Sequence, residues 1–121
     1  MSSFNWEEYL DLAENLLPDG PGFNSEAEMR CAISRAYYAA FNVARIKVPD
    51  HQLTSTGKDH KIVREHFEGQ PGRVGRNLRR LHKRRKEADY HDDCGHLGQY
   101  RVRAKEAVRI GKDVIGEIKD E

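Results

Sequence analysis

The fold is decided by residues 25–47, which read SEAEMRCAISRAYYAAFNVARIK. This segment begins with Ser25 and Glu28 in the spacing of a capping box, and Pro49 follows its end. Apolar residues recur along it at steps of three and four, and their arc is wider than one packing face. Its alanines leave room for a neighbouring helix to approach closely. The pattern predicts a long central helix with neighbours on more than one side.

Four further segments show helical spacing, and no segment shows the apolar alternation of a half-buried strand. The predicted helices cover about 5–17, 58–67, 73–88 and 99–118, and polar or Pro- and Gly-containing segments separate them. A chain of 121 residues and 14.0 kDa has room for one compact domain. We therefore predict an all-α fold of four to five helices, with residues 1–121 forming a single domain.

Composition excludes a membrane protein and a disulfide scaffold. The mean hydropathy is −0.87, and the longest apolar run, residues 36–41, is far shorter than the roughly 20 residues of a membrane-spanning helix. The N-terminus lacks the basic-then-apolar pattern of a signal peptide. Cys31 and Cys94 are then expected to be reduced thiols. We predict a cytoplasmic protein with no membrane contact.

The net charge of +1 hides an uneven distribution of charge. Residues 73–86 hold eight Lys or Arg and no acid, whereas the first 30 residues hold seven acids and a single base. A basic helix face binds nucleic-acid phosphates without reading the bases. The alternative is a solvated helix face. The residues predicted to bind nucleic acid lie opposite the apolar side of this helix: Arg76, Arg80, Lys83 and Arg84.

One position of the basic helix breaks its apolar stripe. The stripe consists of Val74, Leu78, Leu81 and Ala88, and its missing member is an arginine, Arg85. An inward guanidinium is costly unless it is paired or reaches a wet cleft. Asp89, Tyr90 and His91 follow, and guanidinium with imidazole suits phosphoryl chemistry. The alternative is an arginine whose head reaches solvent and a surface-loop histidine.

Two other groups of residues favour ordinary structural roles. His91, Cys94 and His96, with His82 nearby, form one irregular cluster, whereas a structural zinc site has two paired ligand clusters. We therefore predict no metal and no cofactor. The aromatic residues of the central helix have a spacing that favours core packing over base stacking. These residues are Tyr37, Tyr38 and Phe41.

Residues 32–45, AISRAYYAAFNVAR, and residues 85–90, RKEADY, together resemble the HEPN domain superfamily. They are most similar to a small bacterial and archaeal group with an S-R-x-Y-Y-A-x-F helix and an R-x-x-A-D-Y element. The resemblance extends over almost the whole chain. It implies an up-and-down helical bundle, usually homodimeric, in which the arginine-histidine motif of each subunit lines a cleft at the dimer interface.

The resemblance also implies an activity. Many members are metal-independent endoribonucleases, often the toxin partner of a nucleotidyltransferase-type antitoxin, and their motif is an arginine, four to six residues, then a histidine. Arg85 and His91 fit this motif, with Asp89 and Tyr90 between them. Carried over, His91 moves a proton at the 2′-hydroxyl or the leaving 5′-oxygen, and Arg85 stabilises charge on the phosphate.

Two alternatives to ribonuclease activity stay open. Active members often have a small polar residue directly after the arginine, where this chain has Lys86. That favours a non-catalytic module that binds a nucleotide, RNA or a nucleotidyltransferase partner. The other alternative is a bundle whose only role is protein assembly.

Overall fold

The computed structural model describes residues 4–17, 25–90 and 97–120. Within these ranges the chain forms five α-helices and one short 3₁₀ turn, and no strand occurs there. The predicted all-α helical fold is confirmed, and each helix end lies within two residues of its predicted position. The elements are α1 (Glu7–Asn15), α2 (Glu26–Arg45), the 3₁₀ turn (Asp50–Gln52), α3 (Asp59–Glu68), α4 (Val74–Tyr90) and α5 (Leu97–Lys119).

Helix α2 is the centre of the bundle and packs against each of the other four helices. Its start is fixed by the predicted capping box: the Ser25 hydroxyl accepts from the Glu28 amide at 3.1 Å, and the Glu28 carboxylate accepts from the Ser25 amide at 2.9 Å. Five of its alanines are buried, as a helix with several close neighbours requires; these are Ala32, Ala36, Ala39, Ala40 and Ala44. The prediction of a central helix is confirmed.

Helix α4, which carries the basic run, lies against α2, α3 and α5. Its predicted apolar stripe is buried, and Arg85 is buried in line with it. This packing fixes which side chains of α4 face inward and which remain on the surface. Within the described ranges, no helix is both long enough and apolar enough to cross a membrane.

The contact between α3 and α4 depends on a glycine. A β-carbon on Gly75 would lie 2.6 Å from the backbone nitrogen of Glu68 and 2.8 Å from its Cα, so the two helices would have to separate. We expect Gly75→Ala to lower the free energy of unfolding by about 1–2 kcal/mol, measured by urea denaturation.

Gly116 on α5 is the matched control for that substitution. A β-carbon there meets nothing within 4 Å, so Gly116→Ala is expected to raise stability by about 0.5–1 kcal/mol through lower backbone entropy of the unfolded chain. Equal effects of the two substitutions would contradict the close α3–α4 approach.

Candidate functional site

The candidate site centres on Arg85, which is only 7% exposed. One guanidinium nitrogen, Nη1, lies 3.7 Å from the Asp89 carboxylate and donates a hydrogen bond to the Tyr90 hydroxyl at 3.3 Å. Its Nε has no hydrogen-bond partner among the described residues. The partners that an inward arginine needs therefore lie about one helical turn further along α4. They leave the Nε of the guanidinium without a hydrogen bond.

Three tyrosine rings surround the guanidinium. Its carbon lies 5.4 Å from the ring centre of Tyr37 and 5.6 Å from those of Tyr38 and Tyr90. Such cation–π contacts stabilise a charge that has lost its water. Tyr37 is 2% exposed, and burial raises the pKa of its phenol well above the ordinary value. The predicted packing role of the α2 aromatic residues is confirmed for Tyr37 and Phe41, which are buried, and Tyr38 is half-buried.

Two histidines complete the cluster, and neither was predicted to lie there. His60 on α3 forms a short hydrogen bond through Nδ1 with the Tyr37 hydroxyl. Its ring stacks on Phe41 at 4.3 Å and on His82 of α4 at 5.6 Å between ring centres. The only sequence signal was the three-residue step from His82 to Arg85, which places both near one face of α4.

Both imidazoles are held neutral at pH 7. Burial, together with the positive charge of Arg85, lowers the pKa of His82 to about 4. Burial also lowers the pKa of His60, and Arg85 acts in the same direction. A neutral Tyr37 hydroxyl can then donate to the unprotonated Nδ1 of His60. The cluster therefore contains one permanent positive charge and two histidines that resist protonation.

The C-terminal end of α4 connects this cluster to solvent. Asp89 is an exposed residue at this end of the helix. Its carboxylate accepts a hydrogen bond from the Ser34 hydroxyl of α2 at 3.3 Å. Tyr90 is 71% exposed although its hydroxyl touches Arg85. The structure thus brings together three of the four predicted catalytic residues, Arg85, Asp89 and Tyr90. His91, the fourth predicted residue, lies outside the described residues, so its position relative to Arg85 stays a prediction.

The basic run is partly neutralised by acids that lie outside it, on α3, α4 and α5. Two carboxylates, Glu106 of α5 and Glu87 of α4, pair with Arg80 at 2.9 Å and Arg84 at 3.1 Å. Arg79 is held by both carboxylate oxygens of Glu68, on α3. Of the four residues predicted to bind nucleic acid, Arg76 and Lys83 are exposed and have no carboxylate partner within the described ranges. The ion pairs there are Glu26–Arg30, Lys61–Glu65, Arg64–Glu68, Arg79–Glu68, Arg80–Glu106, Arg84–Glu87, Arg85–Asp89, Lys112–Glu14 and Lys119–Glu7.

Metal ligands are not grouped in the part of the chain that the structure describes. No set of three His, Cys, Asp or Glu side chains there could hold a metal ion. Two members of the irregular cluster considered as zinc ligands, Cys94 and His96, lie outside the described residues together with His91.

The candidate site is therefore a junction of α2, α3 and α4. A guanidinium, two neutral imidazoles and tyrosine rings meet there beside an exposed carboxylate. Guanidinium binds phosphate, and a neutral imidazole can donate one N–H to a phosphate oxygen, so the set suits phosphate binding. Comparisons with protein-family models, curated protein sequences and solved structures found no match for this chain.

Proposed function

We propose that this chain is a HEPN-type protein that acts on RNA as a metal-independent endoribonuclease. The observation that carries the proposal is Arg85, a buried guanidinium with an unsatisfied Nε on an otherwise apolar stripe. Apolar side chains of similar volume stabilise a core at least as well as a buried ion pair, so stability alone does not account for an arginine there. The resemblance of residues 32–45 and 85–90 to the superfamily supplies the chemistry.

In the proposed reaction the 2′-oxygen of RNA attacks the adjacent phosphorus as its proton passes to His91. The bond from phosphorus to the 5′-oxygen breaks, and that oxygen takes a proton from the imidazolium or from water. The products are a 2′,3′-cyclic phosphate and a 5′-hydroxyl. Arg85 stabilises the charge that develops on the phosphate. The role of His91 rests on the resemblance alone.

The proposal includes a homodimer and a protein partner. Arg85 is nearly inaccessible in one chain, and the exposed Tyr90 ring beside it is a surface that a second copy would cover. The resemblance places the arginine-histidine motif of each copy in a cleft that the two copies share. The proposed protein partner is a nucleotidyltransferase-type antitoxin.

A second candidate function is favoured by the same burial of Arg85. Its contacts with Asp89 and Tyr90 orient the guanidinium into the chain, as in a structural element of a non-catalytic module. Such a module would bind a nucleotide or RNA through the exposed cations of α4. It predicts saturable binding with no cleavage.

The deciding experiment measures RNA cleavage in EDTA. We expect the purified protein to cleave RNA and leave cyclic phosphate ends, and we expect His91→Ala to reduce the rate by about 10²-fold or more. His51→Ala, at an exposed position in the 3₁₀ turn, is the matched control and should keep full activity. Circular dichroism verifies that each variant is folded.

Two results would contradict the proposal. Cleavage that is unchanged in His91→Ala removes His91 from the mechanism. Saturable RNA binding with no cleavage by the native chain establishes the non-catalytic candidate instead.

A further inference from the structure

A groove runs between α3 and α4 on the surface above the Arg85 cluster. Its volume is about 710 Å³, and five cations, His82 and a single carboxylate, that of Glu87, line it. A concave surface with one sign of charge concentrates oppositely charged ligands. The groove is therefore built for an anion of moderate size.

The cavity on the other side of α4 differs in charge. It lies against α5 and has a volume of about 590 Å³, and its lining combines four cations with three carboxylates. These carboxylates are Asp113, Glu117 and Asp120. Of these two cavities among the described residues, the α3–α4 groove has the larger excess of cationic over anionic lining side chains.

Two lysines provide most of the free charge in this groove. Lys83 and Lys86 are exposed and have no carboxylate partner within the described ranges, whereas Arg79 is held by Glu68. The lysines are three residues apart, so they are neighbours on the helix and repel each other. An anion between them would remove that repulsion.

Arg64 and His82 form the more buried part of the groove. The Arg64 side chain is 16% exposed; its Nε lies 3.7 Å from Glu68 and has no hydrogen-bond partner in the described part of the chain. His82 lines the same groove and stacks on His60 below it. A neutral imidazole can donate one N–H to a phosphate oxygen. His82 therefore connects the groove with the Arg85 cluster.

We propose that the α3–α4 groove is a phosphate-binding site, in which Lys83, Lys86 and Arg64 bind the phosphate of a nucleotide or an RNA strand. His82 forms the inner wall and donates a hydrogen bond to it. This inference rests on the proposed function only where RNA supplies the phosphate, because binding in the groove needs no cleavage of RNA.

The test compares two charge-matched double variants. Native protein, Lys83→Gln/Lys86→Gln and Lys105→Gln/Arg109→Gln are titrated with ADP by calorimetry and with a labelled single-stranded RNA by fluorescence anisotropy. All four substituted residues are exposed, and the control pair removes the same charge from α5. We expect the groove variant to bind at least about tenfold more weakly and its salt slope for RNA to fall by about 1.4, from two lost phosphate contacts. The control should bind like the native chain.

Each outcome decides the proposal. Lysine-dependent binding of ADP, with or without RNA, shows that a free nucleotide suffices, and lysine-dependent binding of RNA alone shows that the strand is the source of the phosphate. Either result supports the groove, even if the native chain cleaves no RNA and the endoribonuclease proposal fails. The groove is overturned if the native chain binds neither ligand, or if the control variant weakens binding as much as the groove variant.

Discussion

Arg85→Met is expected to reduce RNA cleavage by at least about 10²-fold while the protein stays folded, because a thioether cannot stabilise charge on a phosphate. The guanidinium that the substitution removes is the group on which the proposed function depends. Loss of activity without loss of the fold would indicate that the side chain serves the reaction and not stability.

The stability of this variant should lie within about 1 kcal/mol of the native value. Methionine fills a similar volume on a stripe whose other members are apolar. The polar contacts that are lost are weak: a 3.7 Å ion pair to Asp89 and a 3.3 Å hydrogen bond to the Tyr90 hydroxyl. The cation–π contacts with the three tyrosine rings are also lost, and contacts between the thioether sulfur and the same rings offset them. The Asp89 side chain is 28% exposed, so water can reach its carboxylate when the guanidinium is removed.

Cleavage rates and urea unfolding are measured on the same preparations. Leu78→Met, at a buried position on the same stripe, is the matched control and should keep the native rate. Arg85→Lys serves if the methionine variant fails to fold: it keeps the charge but loses the planar fork, so activity should recover only in part. Native activity in a folded Arg85→Met protein would show that Arg85 is structural.

The helices and the inward arginine could be predicted from the sequence because both depend on local patterns. The helix ends follow from the Ser25 capping box and from prolines and glycines between helices. The inward position of Arg85 follows from the four- and three-residue steps of its apolar stripe. These steps can be seen without knowing where the neighbouring helices lie. The partner of Arg85, Asp89, lies one turn further along the same helix and was found for the same reason.

The rest of the site depends on contacts between helices that no local pattern records. His60 reaches Tyr37 across 23 positions of sequence, and nothing in the short helix α3 distinguishes it from a surface histidine. Two of the acids that neutralise part of α4, Glu68 and Glu106, come from α3 and α5. A basic run read from sequence alone therefore overestimates the free positive charge, and only the packed structure shows on which side of α4 it remains.

Acidification should destabilise the protein between pH 7.5 and pH 5, through the two histidines of the cluster. Burial is the main cause that lowers the pKa of His82 to about 4 and also lowers that of His60. Both are therefore neutral when folded and bind protons more readily when unfolded, with a pKa near 6.5. The free energy of unfolding is therefore highest above pH 6.5 and decreases as the pH falls toward 4. His82 alone accounts for about 2 kcal/mol at pH 5, and His60 acts in the same direction.

The charges around the two imidazoles favour this result. Arg85 and Lys86 on α4 and Arg64 on α3 all oppose protonation, and Asp59 on α3 only partly offsets them at His60. Hydrogen bonds from Thr54 lower the pKa of the Asp59 carboxyl below its ordinary value, so it titrates outside the chosen range.

Urea unfolding curves at pH 7.5, 6 and 5 measure the effect, and His82→Gln should remove most of it whereas His51→Gln should leave it intact. Arg85→Met provides an independent check, because loss of its positive charge should raise the pKa of both histidines and make the protein less sensitive to acid. A native chain equally stable at pH 5 and pH 7.5 would show that these imidazoles are not held neutral. The same substitution thus tests Arg85 twice: its charge acts on RNA in the cleavage assay and on the histidines in the unfolding assay. A purely structural role for Arg85 predicts unchanged cleavage, whereas its charge acts on the two histidines in either case.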